Sequence, residues 1–111
     1  MRTHTATIAT GQSLSDPIDI TGGALLRLVM PAAWDAADLT FQVSHDGTTF
    51  QNLYRTDGST ETEVKLKTSA GRAYQLSPLD FAGLLWIKVR SGTGALPVNQ
   101  TAPRSIQIVA G

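Results

Sequence analysis

The chain has 111 residues, and its nine Lys and Arg balance nine Asp and Glu, so the formal net charge is zero. This length predicts one domain over residues 1–111, and a neutral chain lacks the basic field that nucleic acid or an anionic membrane would need. The absence of cysteine excludes disulfides, a thiol nucleophile and a thiolate metal site. No segment has the apolar length of a signal-peptide core or of a membrane span of ~20 residues, which predicts folding in a cytoplasm.

Short runs of alternating or β-branched residues, separated by turn residues, cover most of the chain. In chain order, the predicted strands are 6–9, 17–20, 24–30, 39–44, 49–55, 62–67, 72–76, 83–90 and 104–109. Residues 32–39 are the one segment in which a helical turn is expected. Eight or nine short strands predict an all-β fold, a single antiparallel β-sandwich that is jelly-roll-like. Residues 1–9 are expected to form an N-terminal arm or an edge strand.

Two Asp-Gly pairs predict hairpin turns, because glycine adopts the positive φ that tight turns need. Asp46-Gly47 follows the fourth predicted strand, and Asp57-Gly58 follows the fifth. In the next strand, alternation predicts that Glu63 faces water. In the strand 83–90, the inward side chains are expected to be Leu85, Ile87 and Val89, and the outward ones Trp86, Lys88 and Arg90.

No pattern of residues predicts catalysis, a resident metal or a cofactor. The two histidines, His4 and His45, are far apart in the chain, whereas a zinc site usually needs three or four nitrogen or sulfur ligands. The acidic residues lie mostly at turns, where Asp bonds to its own backbone, and the sequence has no nucleophile elbow. We therefore expect that the protein is not an enzyme.

Carbohydrate binding is the alternative suggested by the aromatic residues, since an exposed ring can stack on a sugar. Candidates are Trp34, Tyr54 and Trp86, with the nearby hydroxyl-binding groups Asn52, Arg55 and Asp57. The competing interpretation is structural: Trp34 covers an edge of the sandwich, Tyr54 caps the core, and Trp86 fills the second face of a central strand. A chain with two Trp, two Tyr and three Phe needs most of these rings for its core.

Three stretches carry a recognisable pattern: residues 30–50 (MPAAWDAADLTFQVSHDGTTF), 87–93 (IKVRSGT) and 97–100 (PVNQ). Together they resemble a group of small virion structural proteins of tailed bacteriophages and prophages, over most of the domain. The resemblance implies a non-enzymatic virion component. A β domain without disulfides, which folds in the host bacterial cytoplasm and then joins a larger assembly, agrees with it.

Within that group, the role that the resemblance favours is a capsid decoration or cement protein on the capsid surface. Its partner would be the major capsid protein, and the protein would act as a homo-oligomer, with a trimer favoured, that stabilises the shell by mass action. Contacts are expected from residues 1–9 and 92–103. The candidate interface residues are Arg2, His4, Trp34 and Trp86. The alternatives are a carbohydrate-binding or host-attachment module of a head fibre or tail, and a ring component of the tail or neck.

Overall fold

The computed structural model describes residues 1–111, except for the burial of residue 22. It consists of two antiparallel sheets and a short hairpin. The strands are β1 (Arg2–Ile8), β2 (Ile18–Gly23), β3 (Leu25–Val29), β4 (Leu39–Ser44), β5 (Gln51–Asn52), β6 (Tyr54–Thr56), β7 (Glu61–Glu63), β8 (Ala73–Gln75), β9 (Leu84–Ser91) and β10 (Arg104–Ala110). A single helical turn, α1 (Pro78–Phe81), lies between β8 and β9. Within the described residues, no helix has the length and apolar character needed to cross a membrane.

The chain passes back and forth between the two sheets. One sheet has the order β1-β10-β3-β8 and the other the order β2-β9-β4-β5, with antiparallel pairing throughout. Strands β1 to β4 alternate between the sheets, as do β8 to β10, which is the connection pattern of a jelly roll. The prediction of an all-β antiparallel sandwich is confirmed.

The core lies between the facing sides of the sheets, because alternate residues of each strand point inward. In β10, for example, Ile106 and Ile108 are fully buried while Gln107 between them is exposed. Phe81 of α1 packs edge-on against Phe41 of β4, with the ring centroids 5.2 Å apart. The helical turn therefore contributes a large aromatic side chain to the core.

The helical turn does not lie where the sequence analysis placed it. Residues 32–38 form an irregular loop, because the backbone N–H and C=O of Asp35 are both bonded to the buried side chain of Gln100. The turn begins instead at Pro78, directly after Ser77. Proline needs no N–H partner in the first position of a helix, and serine is favoured just before it, so this pair was the signal that sequence reasoning missed.

Residues 2–8 form an edge strand that is paired with β10 along its whole length. Ala6 and Ile8 on its inner side have no exposed surface. Of the two forms expected for residues 1–9, the structure contains the edge strand. This segment belongs to the core of the domain, so its removal would open the sandwich.

Replacing Leu28 by alanine should lower the free energy of unfolding by about 2–5 kcal/mol, because this fully buried side chain of β3 would leave a cavity. The matched control, Leu79→Ala, removes the same atoms from a side chain that is 94% exposed, and should change that free energy by less than about 0.5 kcal/mol. Urea denaturation followed by tryptophan fluorescence measures both. Similar losses in the two variants would contradict the position of Leu28 in the core.

Candidate docking surface

The outward side of the sheet β2-β9-β4-β5 carries a row of polar and aromatic side chains. In β9, Ile87 and Val89 point into the core, so Trp86, Lys88 and Arg90 project to the other side. The registration of β4 with β9 pairs these three outward residues with Ser44, Gln42 and Thr40, respectively. The ammonium group of Lys88 lies 4.5 Å from the centre of the Phe50 ring, a cation–π contact that covers this ring. The outward side is therefore partly occupied by contacts within the protein.

Arg90 is the centre of a buried hydrogen-bonding cluster on this side. Its guanidinium donates to Oγ1 of Thr40 at 2.9 Å, to Oδ1 of Asn52 at 2.9 Å and to Oε2 of Glu63 at 2.6 Å. The side chains of Arg90 and Glu63 are only 7% and 14% exposed. The carboxylate of Glu63 also accepts the backbone N–H of Gly94 at 3.1 Å. The prediction that Glu63 faces water is wrong, because the covering guanidinium comes from a strand distant in the sequence.

A second cluster surrounds the fully buried side chain of Gln100. Its amide nitrogen donates to Oγ of Ser91 at 2.8 Å and to the carbonyl of Asp35 at 3.1 Å. The Asp35 carboxylate accepts the backbone N–H of Thr101 at 2.7 Å and pairs with the guanidinium of Arg104 at 2.9 Å. The backbone N–H of Thr101, the largest cause, together with its hydroxyl and Arg104, holds the pKa of Asp35 below its ordinary value. The charged carboxylate thus fixes the segment that precedes β10.

The two clusters hold opposite ends of residues 92–103, which we call the docking loop. Glu63 binds the loop at Gly94, and Asp35 binds it at Thr101. Between them, the loop folds back on itself, with the N–H of Thr93 donating to the carbonyl of Leu96 at 3.1 Å. A Cβ at Gly92, whose φ is +90°, would lie 2.5 Å from that carbonyl oxygen, so the loop geometry requires glycine there. The loop has a defined shape without being part of a sheet.

An apolar side chain stands at the tip of the docking loop. Leu96 is 76% exposed, although its backbone N–H is held by Oγ1 of Thr93 at 3.0 Å. Because the backbone at Leu96 is already ordered, a partner that covers this side chain causes little further loss of backbone entropy. The sequence analysis included this loop among the expected contacts but did not single out Leu96.

The aromatic residues proposed for sugar stacking do not come together. Trp34 precedes β4 and donates its ring N–H to the carbonyl of Ala37 at 3.2 Å, while Trp86 lies beside the last residue of that strand. The two ends of β4, Leu39 and Ser44, are about 17 Å apart at ~3.3 Å per residue. The turn at Gly47 covers Trp86, since a Cβ there would lie 2.9 Å from its Cε2 atom. Tyr54, which is 49% exposed, remains the accessible ring of the three.

The other candidate interface residues lie on β1. Arg2 is exposed, and its guanidinium donates to the carbonyl of Thr21 at 2.9 Å, which connects β1 to β2 in the opposite sheet. His4 is half-buried, and among the described residues its Nε2 atom has no hydrogen-bonding partner. Arg2 therefore makes a contact within the sandwich.

A shallow pocket of about 260 Å³ opens between the β4–β5 turn and the start of β9. Its lining is mainly uncharged: Val43, Ser44, His45, Thr49, Gln51, Gly83, Leu84 and Leu85. This lining lacks a carboxylate that could act together with His45 as an acid–base pair. In the part of the chain that the structure describes, no group of three His, Cys, Asp or Glu side chains could hold a metal ion.

Replacing Glu63 by alanine should lower the free energy of unfolding by about 3 kcal/mol, because the buried guanidinium of Arg90 would lose its counter-charge. Glu61→Ala, on the same side of β7 but exposed, is the matched control and should have little effect. Chemical denaturation gives both values. Hydrogen exchange should also show faster exchange of the Gly94 amide in Glu63→Ala alone, and unchanged exchange would contradict the link to the docking loop.

Acid should destabilise the domain between about pH 4 and pH 2, partly through Asp46. The backbone N–H groups of Thr49 and Thr48 and the hydroxyl of Ser44 lower the pKa of this carboxyl from 3.8 to about 2. Because this pKa is lower in the folded protein, the ionised carboxylate stabilises the folded state at pH values above the ordinary pKa. The contribution is lost as the pH falls through about 2. Asp46→Asn should therefore unfold with a shallower dependence on pH over this range, as measured by urea midpoints at pH 6, 4 and 2. Parallel curves for the two proteins would contradict this role.

Comparisons with known proteins identify no family. No protein-family model matches the chain, and no curated protein matches it significantly. Among solved structures, the Yersinia pseudotuberculosis-derived mitogen matches with a TM-score of 0.38 and 16% sequence identity, covering 98% of this chain and 82% of that one. A similarity at this level carries no conclusion about function.

Proposed function

We propose that this protein is a non-catalytic structural component of a tailed-phage particle, which binds the major capsid protein as a decoration protein. The sequence pattern described above supports the phage origin. The observation that carries the docking role is the docking loop, in which Leu96 is 76% exposed. The backbone of this loop is held at Gly94 by the buried Arg90–Glu63 pair and at Thr101 by Asp35.

Preorganisation is the physical argument for using this loop as the contact. A flexible loop would lose conformational entropy on binding, whereas the bonds to Gly94 and Thr101 hold this backbone before any partner arrives. An exposed apolar side chain such as Leu96 stabilises a complex by leaving water. The loop therefore combines an apolar anchor with a rigid support.

The loop replaces the N-terminal segment as the main contact in this proposal. Ala6 and Ile8 are buried in the core, so residues 1–9 are not free to reach a partner as an arm. Trp34 directly precedes Asp35, which holds the far end of the loop, so its backbone lies near that end. Binding across neighbouring shell subunits would stabilise the assembled shell over its separate subunits.

The glycan-binding alternative has less support from the geometry. Trp34 and Trp86 lie at opposite ends of β4, and the β4–β5 turn covers Trp86. Of the three candidate rings, Tyr54 is the exposed one. We do not propose a sugar ligand.

The proposal is tested with shells assembled from the major capsid protein of the phage or prophage that encodes this chain, prepared without the decoration protein. Wild-type protein should sediment with the shells, and Leu96→Asp should bind roughly 30-fold more weakly, the loss typical of an interface anchor. The matched control is Leu79→Asp, since Leu79 is also exposed but lies on α1. Equal binding of all three proteins would exclude the docking loop, and absence of wild-type binding would overturn the decoration role.

The position in the particle gives an independent readout of the same proposal. A density map of the intact particle should contain a small β-sandwich on the capsid shell. A sandwich found only in a ring of the neck or tail would overturn the decoration role and favour the alternative of a ring component.

A further inference from the structure

The outer edge of β1 presents unpaired backbone groups in a regular row. At the end of this edge, the N–H of Thr7 donates to Oδ1 of Asp16 at 3.0 Å, and its C=O accepts the N–H of Asp16 at 3.3 Å. Both groups of Thr7 therefore point away from β10. Because backbone groups of alternate residues point to the same side of an antiparallel strand, those of Thr3 and Thr5 also point outward. Among the described residues, nothing bonds to them.

The other three sheet edges are protected against further pairing, and this one is not. β8 has three residues and β5 has two, which is too short to support another strand. β2 has a register irregularity after Asp19, whose carboxylate bonds to the backbone of Thr21. β1 has seven residues in unbroken register, with no proline, glycine or lysine among them. Natural proteins rarely leave such an edge open to solvent.

We propose that β1 pairs with β1 of a second copy of this chain, antiparallel, about a two-fold axis that passes beside His4. In this register, Thr3 of each copy lies opposite Thr5 of the other, and each pair exchanges two N–H···O bonds. These four bonds use the outward N–H and C=O groups of Thr3 and Thr5 in both copies. A two-fold contact of this kind closes on itself and gives a dimer.

The bonds between Asp16 and Thr7 favour this register over the one centred on Thr5. An axis centred on Thr5 would place Thr3 opposite Thr7, whose backbone groups are already bonded to Asp16. With the axis beside His4, the pairing stops just before that position. Across the junction, threonine lies opposite threonine and Arg2 lies opposite Ala6, so no Lys, Arg, Asp or Glu faces a like charge. The two His4 side chains lie opposite each other at the axis.

The dimer would join two sheets of four strands into one continuous sheet of eight, and it leaves the docking loop free. The inference does not depend on capsid binding, because β1 and the docking loop use separate residues. It differs from the trimer that the sequence resemblance favoured, so the measured mass distinguishes the two.

Sedimentation equilibrium over a dilution series tests the dimer. Wild-type protein should approach twice the chain mass of 11.8 kDa as its concentration rises. Thr5→Pro removes the outward N–H without removing a backbone bond to β10, and should weaken the dimer roughly tenfold or more. Thr5→Val is the matched control: like the proline variant it loses the hydroxyl bond to Gln107, but it retains the N–H and should still dimerise. A monomeric or trimeric wild type, or equal association of both variants, would overturn the proposal.

Hydrogen exchange of the wild-type protein gives a second test that does not depend on how the proline variant folds. On dilution, the amides of Thr3 and Thr5 should lose protection, while that of Ala6, which is bonded to β10, should remain protected. Exchange at Thr3 and Thr5 that is fast at every concentration would show that this edge is not paired in solution.

Discussion

The hydrogen bonds of the buried Arg90 guanidinium are the interactions on which the outward side of β9 and the start of the docking loop depend. It lies on the outward side of β9, where a charged group would ordinarily face water, and it is instead bonded to Thr40, Asn52 and Glu63. Burying a charge is costly unless its hydrogen bonds are satisfied and an opposite charge is close. Glu63 meets that requirement, and its remaining capacity to accept hydrogen bonds is used by the backbone of Gly94. One buried charge therefore connects β4, β5, β7 and β9 to the docking loop.

The cluster around Gln100 has the same physical character at the other end of the loop. Its neutral amide satisfies the backbone of Asp35, and the carboxylate of Asp35 in turn fixes Thr101 and Arg104. A connection of this length between two strands is usually mobile, because its backbone groups bond to water. Here polar side chains hold the loop together with backbone bonds from Gly92 to Asp38, from Val98 to Ser91 and from Gln100 to Gln12. The result is an ordered loop on which the apolar side chain of Leu96 is exposed.

The two longest edge strands, β1 and β2, differ in the regularity of their pairing. β2 is interrupted after Asp19, whereas β1 keeps its register with β10 from end to end. Its inner residues Ala6 and Ile8 are needed for the core, which prevents the strand from being shortened. Because the core requires β1 to stay in unbroken register, the outer edge of β1 also exposes evenly spaced N–H and C=O groups to another chain. Self-association at β1 and docking through the loop would then use different residues of one small domain.

The all-β class, the hairpins at Asp46 and Asp57 and the inward face of β9 could be predicted from the sequence, because turn residues and period-two alternation act over a few neighbouring residues. The helical turn at Pro78 was also encoded locally, by the pair Ser77 and Pro78. The burial of Glu63 could not be predicted, since its partner Arg90 lies 27 residues away in the chain. The same holds for the loop at Asp35, which Gln100 holds from 65 residues away. Local alternation determines which residues form strands. Only the pairing of distant strands determines which polar groups form hydrogen bonds with each other, and these bonds determine the shape of the docking loop.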